Sequence, residues 1–128
     1  MEVICKKEAF EILGAAMAVH RELGSGFNEK VYQDALEIDF QQRNIPYKRE
    51  MPLHAVYHDV ELKAEFVPDF VCYDQVIVEL KAVKELDDIH RSQTINYTKV
   101  AGMDLGLLIN FRAKSLQYER LPNFDKLQ

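Results

Sequence analysis

The chain has 128 residues, of which 48% are hydrophobic and 29% charged, with five glycines, four prolines and a formal charge of −5. That length suits one domain, residues 1–128, with its own core, and the composition excludes a disordered or fibrous chain. No apolar run approaches the ~18 residues that cross a bilayer, the charged opening MEVICKKEAFEILG does not read as a secretory leader, and the acidic balance speaks against a nucleic-acid coat or a polybasic membrane binder.

Residues 6–23 place Phe10, Leu13, Met17 and His20 or Arg21 at three- and four-residue steps, which predicts a helix with that stripe as its apolar face. Gly24-Ser25-Gly26 ends it. Asn28 caps a second helix, whose apolar band is Val31, Ala35 and Ile38 with Tyr32, Leu36 and Phe40 beside them, and Asn44 and Pro46 close it. From Tyr47 to Val83 the pattern is that of strands. One hairpin turns at His58-Asp59 and a second at Asp74-Gln75, where VPDFVCY meets VIVELKAV. The nearly unbroken VIVEL predicts a strand buried on both faces. Asp87 or Asp88 caps a third helix over about 88–101, ended by Gly102. DLGLLINF is another buried strand, and SLQYERL a short edge strand. The order α-α-β-β-β-α-β predicts an α/β fold, an α+β sandwich with a mixed central β-sheet flanked by helices.

Chemistry concentrates on the second hairpin. Glu79 and Lys81 share one face of their strand, and Val78, Leu80 and Ala82 take the other. A turn at Tyr73-Asp74-Gln75 pairs residues whose numbers sum to a constant, which sets Asp69 directly across from Glu79. Two facing carboxylates repel, and a lysine or a divalent cation offsets the repulsion. A cation held there can polarise a phosphoryl group, and the Lys81 ammonium can orient water or stabilise transition-state charge. From spacing alone, a surface hairpin carrying a Glu/Lys pair accounts for the same residues. Cys5 and Cys72 match no metal or redox spacing, which suits a reduced cytoplasmic interior. His54, His58 and His90 lack zinc-ligand spacing. The small basic groups Arg43, Lys48, Arg49 and Arg112, Lys114, Arg120 read as solvated faces or as a phosphate-contacting rim.

Pro68-Asp69 followed by Glu79-Leu80-Lys81 resembles the PD-(D/E)XK signature of the restriction-endonuclease-like nuclease superfamily. Gly26-Phe27-Asn28-Glu29-Lys30-Val31-Tyr32 is similar to the motif of the bacterial and archaeal GxxExxY family, and the similarity runs from about Ile12 to Phe111 through VHRELGSGFNEKVYQDAL, VIVELKAVKEL, IHRSQTINYTKV and LGLLINF. That family usually has Pro where this chain has Ser25. The resemblance implies a restriction-endonuclease-like core and a nuclease-type site: Asp69, Glu79 and the Leu80 backbone carbonyl as ligands of Mg²⁺ or Mn²⁺, Lys81 as catalytic lysine, and Glu29 as the acidic residue on a helix that completes the site. Gln93 and Tyr97 resemble a QxxxY helix motif and share a face four residues apart. On residues alone, Glu29 is also a first-turn glutamate favoured by the helix dipole, Tyr97 a core residue and Gln93 a solvated one. His20 reads as a ligand, a proton shuttle or a hydrogen-bonded structural histidine. The expected activity is metal-dependent hydrolysis of phosphodiester bonds in DNA, or second in RNA. The competing expectations are a non-catalytic module of the same fold that binds nucleic acid or a protein, and a subunit of a larger nuclease assembly. The oligomeric state is left open between a monomer, a homodimer and a place in a larger nucleic-acid-processing assembly, and no membrane role is expected.

Overall fold

The computed structural model describes residues 3–127. Helix α1 (Lys6–Leu23) stops where Gly24 takes a positive φ of 76° and donates its N–H to the His20 carbonyl. Helix α2 (Glu29–Gln42) is capped by Asn28, whose side chain accepts the Val31 N–H. Helix α3 (Asp88–Val100) starts at a capping box between Asp87 and His90. The strands are β1 (Tyr47–Arg49), β2 (Leu53–Tyr57), β3 (Val60–Phe66), β4 (Phe70–Cys72), β5 (Val76–Lys81), β6 (Leu105–Asn110) and β7 (Gln117–Pro122). Five strands therefore precede α3 and two follow it, a finer division than the expected α-α-β-β-β-α-β. The difference arises because β1 and β4 are only three residues long and both hairpins contribute two strands.

The main sheet runs β1-β4-β5-β6-β7, and β2-β3 form a separate hairpin. Only β5 and β6 are parallel, with α3 as their crossover, so the sheet is mixed as expected. Both hairpin turns are set by paired positive φ values, at His58 and Asp59 and at Tyr73 and Asp74.

Strand alternation divides the sheet into two differently built faces. Phe70, Cys72, Val76, Val78, Leu80, Leu105, Leu107 and Ile109 pack with Ala9, Ile12, Ala16 and Val19 of α1 and Tyr32, Leu36 and Phe40 of α2. This corrects the apolar stripe expected for α1. Leu13 is buried as expected, but Phe10 and Met17 are 76% and 41% exposed, and the buried face is rotated toward Ala9, Ile12, Ala15, Ala16 and Val19. Alanines let α1 approach the sheet closely, so size outweighs hydrophobicity in choosing the inward face. Ile38 of α2 likewise points outward, at 55% exposure. On the opposite face α3 lies over Gly106, where a Cβ would come within 2.7 Å of Thr98 Oγ1 and 2.9 Å of Thr94 Cγ2. Thr94 and Thr98 are buried and return their hydroxyls to backbone carbonyls one turn earlier in the helix. Among the described residues, no helix is long and apolar enough to cross a membrane.

Candidate active site

The α3 face of the sheet carries one charged pair amid apolar neighbours. The β4–β5 ladder matches Phe70 with Val78 and Val71 with Ile77; continued by one residue, it opposes Asp69 to Glu79. The two are also stitched by their backbones: Asp69 N–H donates to Glu79 Oε1 at 3.2 Å, and Leu80 N–H donates to Asp69 Oδ2 at 2.7 Å. Pro68 before Asp69 is buried and has no N–H to satisfy where β3 gives way to β4. Glu79 is only 5% exposed.

Burial pushes the Glu79 carboxyl well above the usual carboxylate range, and the facing Asp69 charge adds to the rise, while the Asp69 N–H and Lys81 oppose it. Asp69 is raised for the same reason, desolvation first, against the pull of the Leu80 N–H and of the Lys81 and Lys30 charges. Glu29 repels both acids, so the start of α2 faces this pair, although Glu29 itself lies exposed in the first helical turn. Burial raises the Tyr97 phenol, with the charges of Glu79 and Asp69 as the next causes, which sets α3 against the same pair. Gln93 Nε2 donates to Tyr97 Oη at 3.2 Å, and the Tyr97 ring meets Phe66 of β3 at 4.8 Å.

Asp69, Glu79 and Lys81 thus lie together on the hairpin, within electrostatic reach of Glu29 and Tyr97, and Gln93 is bonded to Tyr97. His20 is placed differently: its Nε2 lies 2.9 Å from the Ala113 carbonyl, tying the end of α1 to the loop after β6. Two residues outside the expected set also build the site. Gln33, 3% exposed, reaches the Asp69 carbonyl with Nε2 at 3.4 Å. Its signal was a polar residue inside the apolar band of α2, four positions after Glu29 and so on the same face. Tyr32, buried in the core, donates its hydroxyl to the Gly24 carbonyl at 2.6 Å and accepts the Phe27 N–H at 3.2 Å, with its ring stacked on Phe111 at 4.6 Å. It fastens the loop that delivers Glu29.

Facing carboxylates are hard oxygen donors and suit Mg²⁺ or Mn²⁺, which use one or two carboxylates and complete their shell with water. Each acid keeps one oxygen outside the two backbone bonds. Among the described residues, no three acidic, histidine or cysteine side chains gather closely enough to hold an ion, so the candidate donors are this pair with Glu29 standing off.

A model of the PD-(D/E)XK nuclease superfamily matches residues 6–121. The chain belongs to that superfamily. Its α/β architecture is restriction-endonuclease-like, and membership supports a nuclease-like function and nucleic-acid binding. Nucleases of the superfamily generally use divalent metals. Comparison with curated proteins gives no match.

Proposed function

We propose that the chain is a Mg²⁺- or Mn²⁺-dependent phosphodiesterase that hydrolyses DNA, with RNA the second candidate, and that it lies in the GxxExxY branch of its superfamily. The observation that carries this reading is the facing Asp69–Glu79 pair beside Lys81, Glu79 buried and Asp69 half-buried, with both carboxyls raised. Uncompensated, such a pair is a cost to the fold; a substrate-bound cation is the natural relief. Asp69, Glu79 and the Leu80 carbonyl are the proposed ligands, and a cation bound there supplies Lewis-acid polarisation of the phosphoryl oxygens.

The remaining work falls to the chain's own groups. Lys81 presents its ammonium to the scissile phosphate, where charge grows in the transition state. Glu29 orients the attacking water from the side of α2. Tyr97, with Gln93 bonded to its hydroxyl, limits the site on the α3 side and positions Lys81 or a phosphate. A single domain over 1–128 and a cytoplasmic setting go with this reading, the latter supported by the free thiols of Cys5 and Cys72.

Asp69→Asn and Lys81→Met should each abolish metal-dependent cleavage of a labelled DNA strand, while Mn²⁺ titration calorimetry should register binding by the wild type and weakened binding by Asp69→Asn. Cleavage that survives both substitutions would assign the activity elsewhere. A wild type that binds neither ion, free or with DNA, would leave a non-catalytic module of this fold.

A further inference from the structure

A groove of about 630 Å³ lies between the end of α1, the Gly24-Ser25 turn that follows it and the loop after β6. It is lined by Met17, His20, Arg21, Gly24, Ser25, Lys114, Ser115 and Leu116, with no carboxylate among them. We infer that this groove binds a non-scissile phosphate of the nucleic-acid strand, through Arg21 and Lys114 with the Ser25 and Ser115 hydroxyls beside them. The inference rests on the nuclease reading and extends it to the path of the substrate.

Three observations support it. The first is charge. Lys30, Arg43, Lys48, Arg49, Arg91, Lys99 and Lys126 are each neutralised in an ion pair. Among the described residues, Lys6, Lys7, Arg21, Lys63, Lys81, Lys84, Arg112, Lys114 and Arg120 are in none, and of these Arg21 and Lys114, both exposed, line this groove. In a chain with 21 acidic and 16 basic side chains, cations left unpaired beside an acid-free groove make the local field positive against the overall balance. This separates the two basic groups seen in the sequence: Arg43, Lys48 and Arg49 are paired with carboxylates, whereas Arg112 and Lys114 are in no ion pair and Arg120 donates to the Ile4 carbonyl.

The second is preorganisation. The walls are already tied by His20 to the Ala113 carbonyl, by Tyr32 to the Gly24 carbonyl and by Asn110 Oδ1, which accepts the Arg112 N–H. A phosphate entering the groove therefore does not have to order its backbone, which lowers the cost of binding. The third is position. Strands β5 and β6 run parallel with Lys81 opposite Asn110, and Phe111 N–H donates to the Lys81 carbonyl at 2.9 Å. The loop carrying Lys114 therefore leaves the sheet beside Lys81. Three residues of extended chain span at most about 10 Å, and this is about three nucleotide rises of ~3.4 Å along one strand.

The test measures binding of a labelled single strand and a labelled duplex to the full chain by fluorescence anisotropy in EDTA across a salt series. Losing one phosphate contact should flatten the salt slope by about 0.7 for the single strand or 0.9 for the duplex, which one decade below 1 M salt is about a five- to eightfold loss of affinity. Arg21→Ala and Lys114→Ala should each give that loss, and in cleavage assays raise KM with little change in kcat. Lys99→Ala removes the same charge from an ion pair with Asp125 and should change neither slope nor KM. Circular dichroism and urea midpoints check that all three fold. Wild-type cleavage with unaltered slopes in both groove variants overturns the inference and leaves the nuclease reading standing. A wild type that neither binds nor cleaves DNA or RNA overturns both.

Discussion

Replacing Glu79 by Gln removes a charge that the folded chain holds at a cost. Burial and the facing Asp69 raise the Glu79 carboxyl from 4.5 to about 8, so between those values the folded state keeps a proton that the unfolded state has released. The stability attached to that proton is complete below the unfolded value and is lost as pH rises through the folded one. At about 1.4 kcal/mol per pH unit, the span corresponds to about 3–5 kcal/mol. Glu79→Gln keeps an oxygen to accept the Asp69 N–H and turns an amide toward the Asp69 carboxylate, so packing is retained. In chelator, urea denaturation should find the variant and wild type within about 1 kcal/mol near pH 4.5, and the variant more stable by about 3–5 kcal/mol above pH 8. Mn²⁺ should narrow that gap from the wild-type side, since a ligand at one hundred times its Kd adds about 2.7 kcal/mol. A difference that is flat from acid to alkaline pH, or a variant less stable throughout, would refute the account of a facing and uncompensated pair.

Other outcomes follow from the packing and the loop. Gly106→Ala sets a Cβ against Thr98 Oγ1 and Thr94 Cγ2 and should cost about 1–3 kcal/mol in urea denaturation, with part of the loss recovered in a Thr94→Ser background, which removes that methyl. Tyr32→Phe keeps the stack on Phe111 but loses the bonds to Gly24 and Phe27; it should cost about 1–2 kcal/mol and raise hydrogen exchange at the Phe27 amide. On α1, Phe10→Ser should change stability by less than about 0.5 kcal/mol, whereas Ile12→Ala, 0% exposed, should cost about 2–5. The reverse ranking would restore the stripe expected from periodicity.

That stripe marks a limit of local reading. In α1, Phe10, Leu13 and Met17 satisfy a helical period as well as Ala9, Ile12, Ala16 and Val19, and the sheet's demand for close approach selects the alanine face with Leu13 at its edge, leaving Phe10 and Met17 outside. Gln33 was hidden for a related reason: its neighbour, the Asp69 carbonyl, lies 36 residues away and belongs to another layer. The Asp69–Glu79 register was accessible because a three-residue hairpin fixes its own pairing and alternation then assigns the faces. Superfamily membership agrees with the motifs that suggested it.

Signals that act within a few residues were therefore sufficient for the ends of all three helices, both hairpin turns, and the pairing of two acids beside a lysine, because caps, positive-φ turns and strand alternation are enforced by the backbone itself. The net charge of −5 was also plain in the sequence, but not its distribution. Which cations are spent on ion pairs and which stay free around the groove of Arg21 and Lys114 is decided only when distant segments meet. Charge pairing depends on spatial distance, and a chain's order along its length leaves that distance undetermined until the sheet and its helices are assembled.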